Sequence, residues 1–127
     1  MKYALFDTNI MIDHLKGKEE ATYVLLQCKN NNIMPACSVI SEIELLCGMR
    51  SGEEAQLNFF LSGFEKVVID LMIAKSAGLY MNKYWKSHGI NMGDAIVAAS
   101  AKYLGSKLYT LNVKHFPMND VEIIRPY

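Results

Sequence analysis

The stretch YALFDTNI, residues 3–10, decides the fold. A short apolar run, Tyr3 to Phe6, breaks off abruptly into Asp7-Thr8-Asn9, the pattern of a buried strand that hands the chain to a helix. A helix over about residues 8–15 follows, closing near Gly17. In such a strand-to-helix passage the first polar residue stands at the carboxyl edge of the sheet, where open α/β proteins bind their ligands.

The same alternation continues along the chain. Ala21, Val24, Leu25 and Cys28 recur at three- and four-residue steps between Lys18 and Asn32, one face of a second helix. Residues 33–38 suit a second strand, and Ser41 opens a helical pattern through Ile43, Leu46 and Cys47 to Gly48. A helix over 53–62, a strand over 66–69 (KVVI) and a long helix over about 71–86 come next, the last with Ile73, Ala77, Tyr80, Met81 and Tyr84 inward. Asp94 to Tyr103 is rich in Ala and Ser, so a helix there can lie close to a sheet, and Gly105 supplies its stop. Residues 108–111 and 121–124 complete the strands. The expected fold is a three-layer α/β/α domain spanning 1–127, with a mostly parallel central sheet of four or five strands.

Bulk properties narrow the function. A chain of 127 residues has room for one core. Thirteen basic residues balance thirteen acidic ones, so there is no global field to attract nucleic acid, and an RNA-binding surface has to be a local patch. Cys28, Cys37 and Cys47 form no C-x-x-C pair and lie in apolar runs, which suggests buried reduced thiols and a cytoplasmic protein. The first residues reach Asp7 too soon for a signal-peptide core, and no run of about 18 apolar residues exists. The expectation is a protein that is neither exported nor membrane-spanning.

Three acids stand at helix starts: Asp7, Glu44 and Asp94. Singly, each has an ordinary alternative. Asp7 or Thr8 would cap the next helix, Ser41-x-x-Glu44 has capping-box spacing, and Asp94 follows Gly93 as an N-cap would. Glu42 lies about 200° around a helix from Glu44, so only one of the two fits a small pocket. Jointly the acids mean more, because helix starts in a parallel α/β chain share one rim, and three carboxylates there repel one another without a cation. Hard divalent ions such as Mg²⁺ or Mn²⁺ take such oxygens. His14, His88 and His115 lack zinc-ligand spacing, and neither a G-x-S-x-G elbow nor a Walker loop is present. Thr110 and Asn112, past the fourth strand, either reach the same rim or form a polar turn.

These residues are similar to those of a known family. LFDTNIMID at 5–13, SVISEIELLCG at 38–48, GDAIVAASA at 93–101 and TLNVKHF at 110–116 together resemble the PIN domain, and within it the VapC-type toxins of prokaryotic toxin–antitoxin pairs. The resemblance covers essentially the whole chain. It implies an Mg²⁺-dependent endoribonuclease, with Mn²⁺ able to substitute. Position by position, Asp7, Glu44 and Asp94 match the family's metal-site acids and Asn112 matches a fourth, often acidic, catalytic position. An amide there adds no negative charge and weakens a second metal position. Thr110 and Asn9 match polar residues near metal or substrate phosphate.

Under that resemblance Asp7 and Asp94 act as ligands, while Glu44 holds or deprotonates the attacking water. Lys114 and His115, with Lys83, Lys86 and Arg50, would form a local basic rim for RNA phosphates. Tyr80, Tyr84, Trp85 and Tyr103 are read as core or subunit contacts rather than base-stacking platforms. The resemblance further implies a cognate antitoxin that fills the active-site groove and a homodimer of toxin subunits. Four other readings compete: a PIN nuclease of RNA processing without an antitoxin, a PIN fold that has lost catalysis and only binds, against which the three retained acids argue, a receiver-like signalling domain, and a haloacid-dehalogenase-like phosphatase. The last two are each short of an expected acid beside Asp7, the phosphatase because Asn9 stands at its second acid position.

Overall fold

A computed structural model describes all of residues 1–127. Five strands, β1 (Lys2–Phe6), β2 (Ile33–Ser38), β3 (Glu65–Val67), β4 (Lys107–Tyr109) and β5 (Ile123–Ile124), make one sheet in the order β3-β2-β1-β4-β5. Every pairing is parallel. The chain moves outward from β1 to β2 and β3, then returns to the other side of β1 to lay down β4 and β5. The order therefore reverses between β1 and β4, and a crevice opens at the carboxyl ends of those two strands.

Alternation along the central strands feeds two cores. Leu5, Ala36 and Leu108 point into a cluster with Ile73, Ala77 and Tyr80 of α5 (Leu71–His88) and the alanines of α6 (Met92–Leu104). Ala4, Phe6 and Cys37 point the other way. They meet α1 (Thr8–Leu15), α2 (Glu19–Asn30), α3 (Val39–Gly48) and α4 (Glu54–Leu61). Met81 and Tyr84, expected inward on α5, are partly buried against the first cluster. In α6 the residues Ala95, Ala98, Ala99 and Ala101 are all at most 1% exposed, so small side chains let this helix sit directly on the sheet. Gly105 ends it in the left-handed conformation, φ 63°, which glycine adopts without a Cβ penalty.

The structure departs from the sequence reading in several places, among them β3, which ends at Val67 and not at residue 69, and β5, which is confined to Ile123–Ile124. Helix α3 begins at Val39, two residues before Ser41, because Ser38 Oγ accepts the Ile40 amide and caps it. Ser41 is consequently a buried residue inside the first turn and not a cap. Cys28 and Cys37 are buried free thiols as expected, whereas Cys47 is exposed on α3. The segment after β4 is shorter in strand than expected and closes into a 3₁₀ turn, Val113–His115. No helix is long and apolar enough to cross a membrane.

Candidate active site

Asp7 is the pivot of the crevice. Its backbone N–H donates to the Tyr109 carbonyl at 2.9 Å, which ties the end of β1 to the end of β4. Its side chain caps α1 by accepting the Thr8 amide on Oδ1 at 2.8 Å. On the other oxygen, Oδ2, it accepts the Thr110 hydroxyl at 2.8 Å and a long contact from Asn9 Nδ2 at 3.4 Å. Capping and site formation, opposed as alternatives at the sequence level, are done here by two oxygens of one carboxylate. Asp7 is 8% exposed. Burial raises its pKa, the Thr110 and Thr8 hydrogen bonds pull it back, and repulsion from Asp94 and Glu44 raises it again.

Glu44 reaches the crevice from α3. Its Oε1 accepts the Thr8 hydroxyl at 2.8 Å, so it is not engaged in a capping box with Ser41. Ser41 instead shares a 2.7 Å hydroxyl–hydroxyl bond with Thr8. Glu42 points elsewhere and pairs with Lys66 at 3.3 Å. Asp94 arrives from α6 as the third residue of a true capping box. Asn91 Oδ1 accepts the Asp94 amide at 2.8 Å, and Asp94 Oδ2 accepts the Asn91 amide at 3.5 Å. The same Oδ2 meets His115 Nδ1 at 3.2 Å. Burial pushes the Asp94 carboxyl up, partly offset by Asn91 and His115.

The remaining sequence-predicted residues lie around this triad in different ways. Thr110 is fully buried, and its hydroxyl is committed to Asp7 while accepting the Asn112 amide at 3.0 Å. Asn112 follows on the rim with an exposed side chain and precedes the 3₁₀ turn. Lys114 is exposed, and His115 is half-buried against Asp94. Asn9 keeps its Oδ1 buried with no hydrogen-bond partner. Sequence reasoning gave the Thr8 hydroxyl only a capping role and did not single out Asn91. The N-x-x-D spacing of residues 91–94 is a capping-box signal that was there to be found, whereas the Thr8–Ser41 contact spans 33 residues and left no local trace.

No three Asp, Glu, His or Cys side chains close into a ready-made metal cage. The donors nevertheless fit a hard divalent ion that retains waters, which commonly uses one or two carboxylates. All are oxygens, Asp94 Oδ1 and Glu44 Oε2 take no hydrogen bond from the protein, and Asn9, whose Nδ2 contacts Asp7, has its Oδ1 buried without a partner. Next to Glu44 a groove of about 530 Å³ runs between α1, α3 and α4, lined by Ile12, Leu15, Leu45, Met49 and Leu57 with Lys16, Arg50 and Glu53 among its polar residues.

Comparisons with known proteins bear on the family and the fold. The PIN domain family model matches residues 4–117. Ribonuclease VapC19 of Mycobacterium tuberculosis is 38% identical over 115 residues, 90% of this chain and 92% of that protein. Ribonuclease VapC10 of the same organism is 37% identical over 115 residues, covering 90% of this chain and 86% of its own. Among solved structures, a toxin–antitoxin complex from Klebsiella pneumoniae superimposes with a TM-score of 0.83 at 29% identity, over 98% of both chains.

Proposed function

Because the chain belongs to the PIN domain family, we propose that it is an endoribonuclease, the toxin of a VapBC-type toxin–antitoxin pair, and that it hydrolyses RNA phosphodiester bonds at the Asp7–Glu44–Asp94 crevice. Family membership displaces the receiver-like and dehalogenase-like readings. The observation that supports the site assignment is that Thr8 hydrogen-bonds both Asp7 and Glu44, with Asp94 at the start of α6 near enough to raise the Asp7 pKa.

Asp7, Asp94 and Glu44 would hold Mg²⁺, or Mn²⁺ in its place. The ion supplies Lewis-acid charge for the phosphate oxygens and lowers the pKa of a water bound to it. The protein's own part is positioning and proton handling. Thr110 orients Asp7 from below, and the Asn91 capping box with His115 orients Asp94. Glu44, with one oxygen fixed by Thr8 and the other open, holds the attacking water and takes its proton. As the new phosphorus–oxygen bond forms, the bond to the 3′ oxygen breaks in line and that oxygen takes up a proton from solvent, while Asn112 and Lys114, at the 3₁₀ turn after β4, would stabilise the charge that develops there. Asn112 is then the fourth catalytic position, and Asn9, Thr110, Lys114 and His115 position the substrate phosphate or the residues that touch it.

The partners follow from the same reading. The groove beside Glu44, part apolar and part charged, suits a segment of a cognate antitoxin, whose occupancy would cover Glu44. Leu71, Met72 and Leu79 leave apolar surface on α5 for a second copy of the chain. The chain is read as one PIN domain working in the cytoplasm. The deciding experiment is Asp94→Asn, which keeps the helix-start geometry and removes one ligand charge. RNA cleavage with Mn²⁺ should fall by about 100-fold or more, with an unchanged circular-dichroism spectrum. Full cleavage by the purified variant would overturn the assignment.

A further inference from the structure

Thr8 holds two of the three acids at once. Its backbone N–H donates to Asp7 Oδ1 at 2.8 Å, and its hydroxyl donates to Glu44 Oε1 at 2.8 Å. Ionised carboxylates only accept hydrogen bonds, and a threonine hydroxyl has one hydrogen. The Thr8 hydrogen therefore goes to Glu44, and the 2.7 Å contact with Ser41 must run from the Ser41 hydroxyl into the Thr8 oxygen. Ser41 and Glu44 are three residues apart, so they share a face of α3, and that face is the one turned to the first turn of α1. The result is a one-way chain, Ser41 to Thr8 to Glu44. Both hydroxyls are shielded from water, with Ser41 0% and Thr8 4% exposed. Neither hydroxyl has another side-chain partner.

We propose that Thr8, oriented by Ser41, is a positioning residue that fixes Glu44 relative to Asp7, leaving Glu44 Oε2 turned to the ion and water of the reaction. This assignment rests on the metal-site reading above. It differs from a helix-cap role for this segment, because the cap is made by the Asp7 carboxylate and the Thr8 amide, and the hydroxyl takes no part in it. Only the hydroxyl reaches α3.

The test is Mn²⁺ binding to the full-length protein, measured by calorimetry and by electron paramagnetic resonance. Four variants are compared: Thr8→Val, Thr8→Ser, the double variant Thr8→Val with Ser41→Ala, and Asp7→Asn. Valine keeps the shape of threonine and leaves the backbone cap in place. Thr8→Val should weaken Mn²⁺ affinity by about tenfold or more, the range seen when groups orienting a metal ligand are removed. The resonance spectrum should change with it, and Thr8→Ser should return both to the parent values. The double variant removes the stranded Ser41 hydroxyl as well, so it should regain stability but not affinity, which separates positioning from folding. Parent-level affinity in Thr8→Val, or equal loss in Thr8→Ser, would overturn the assignment of Thr8 alone, provided Asp7→Asn loses the ion. If Asp7→Asn also binds Mn²⁺ like the parent, the metal-site reading falls and the role of Thr8 falls with it.

Discussion

Asp7 is held by two good hydrogen bonds and yet ionises reluctantly. In the unfolded chain it would titrate near its ordinary 3.8, and in the fold that value is raised, chiefly by burial. Between the two values the native protein keeps a proton that the unfolded chain has released, so stability declines as pH rises through that window and stays reduced above it. Asn caps helices as well as Asp does, and its amide oxygen can still accept from Thr8. Asp7→Asn should therefore raise the melting temperature of the metal-free protein at pH 7, with the difference narrowing as pH is lowered towards 3.8. A scanning-calorimetry series across pH checks this. A variant that melts lower at neutral pH would show that the carboxylate is a net stabiliser. The gain in stability should come with loss of cleavage, as expected where a site is arranged for chemistry and not for folding.

Among the elements, α6 has the most to lose from small changes. Its first turn presents Asp94, and the turn is organised by Asn91, whose side chain accepts the Asp94 amide. Asn91→Ala should cost about 1 kcal/mol of stability, read from urea denaturation, and should lower the cleavage rate because the turn carrying Asp94 loosens. Asn91→Ser should keep both near parent values. The sequence reading placed this helix by its alanines and by Gly105, and both features serve as expected. It started the helix at Asp94, two residues late, because Asn91-Met92-Gly93 carries no apolar period. For α3 the error was similar in size and larger in consequence. Reading Ser41 as the cap assigned Glu44 to that cap, whereas capping by Ser38 frees both residues to meet α1.

At the scale of the whole molecule, the site belongs to no single element: β1, α1, α3, α6 and the turn after β4 each supply a part. A ligand that binds only the assembled crevice stabilises the folded state by mass action, about 2.7 kcal/mol at a hundredfold excess over Kd. Saturating Mn²⁺ should raise the melting temperature by several degrees, EDTA should reverse the shift, and Asp94→Asn should show none. A shift of equal size in Asp94→Asn would place the ion elsewhere.

Local pattern carried the architecture: short apolar runs, helix periods and stop glycines are properties of neighbouring residues, and they were enough to place the helices and strands along the chain and to expect a mostly parallel sheet of four or five strands, while the all-parallel order β3-β2-β1-β4-β5 came from the structure. Sequence motifs also carried the family, and they named the three acids of the proposed site, since each acid sits at a strand-to-helix passage or in a helix's opening turns. Only the tertiary structure decided how the acids are held. Thr110 reaches Asp7 across 103 residues and Thr8 reaches Glu44 across 36. Such hydroxyl contacts depend on how α1 packs on α3 and how β4 pairs with β1, which no local spacing encodes. The stretch at residues 3–10 thus announced its strand, its helix and its acid, while the packing of α1 on α3 gave Thr8 its second partner.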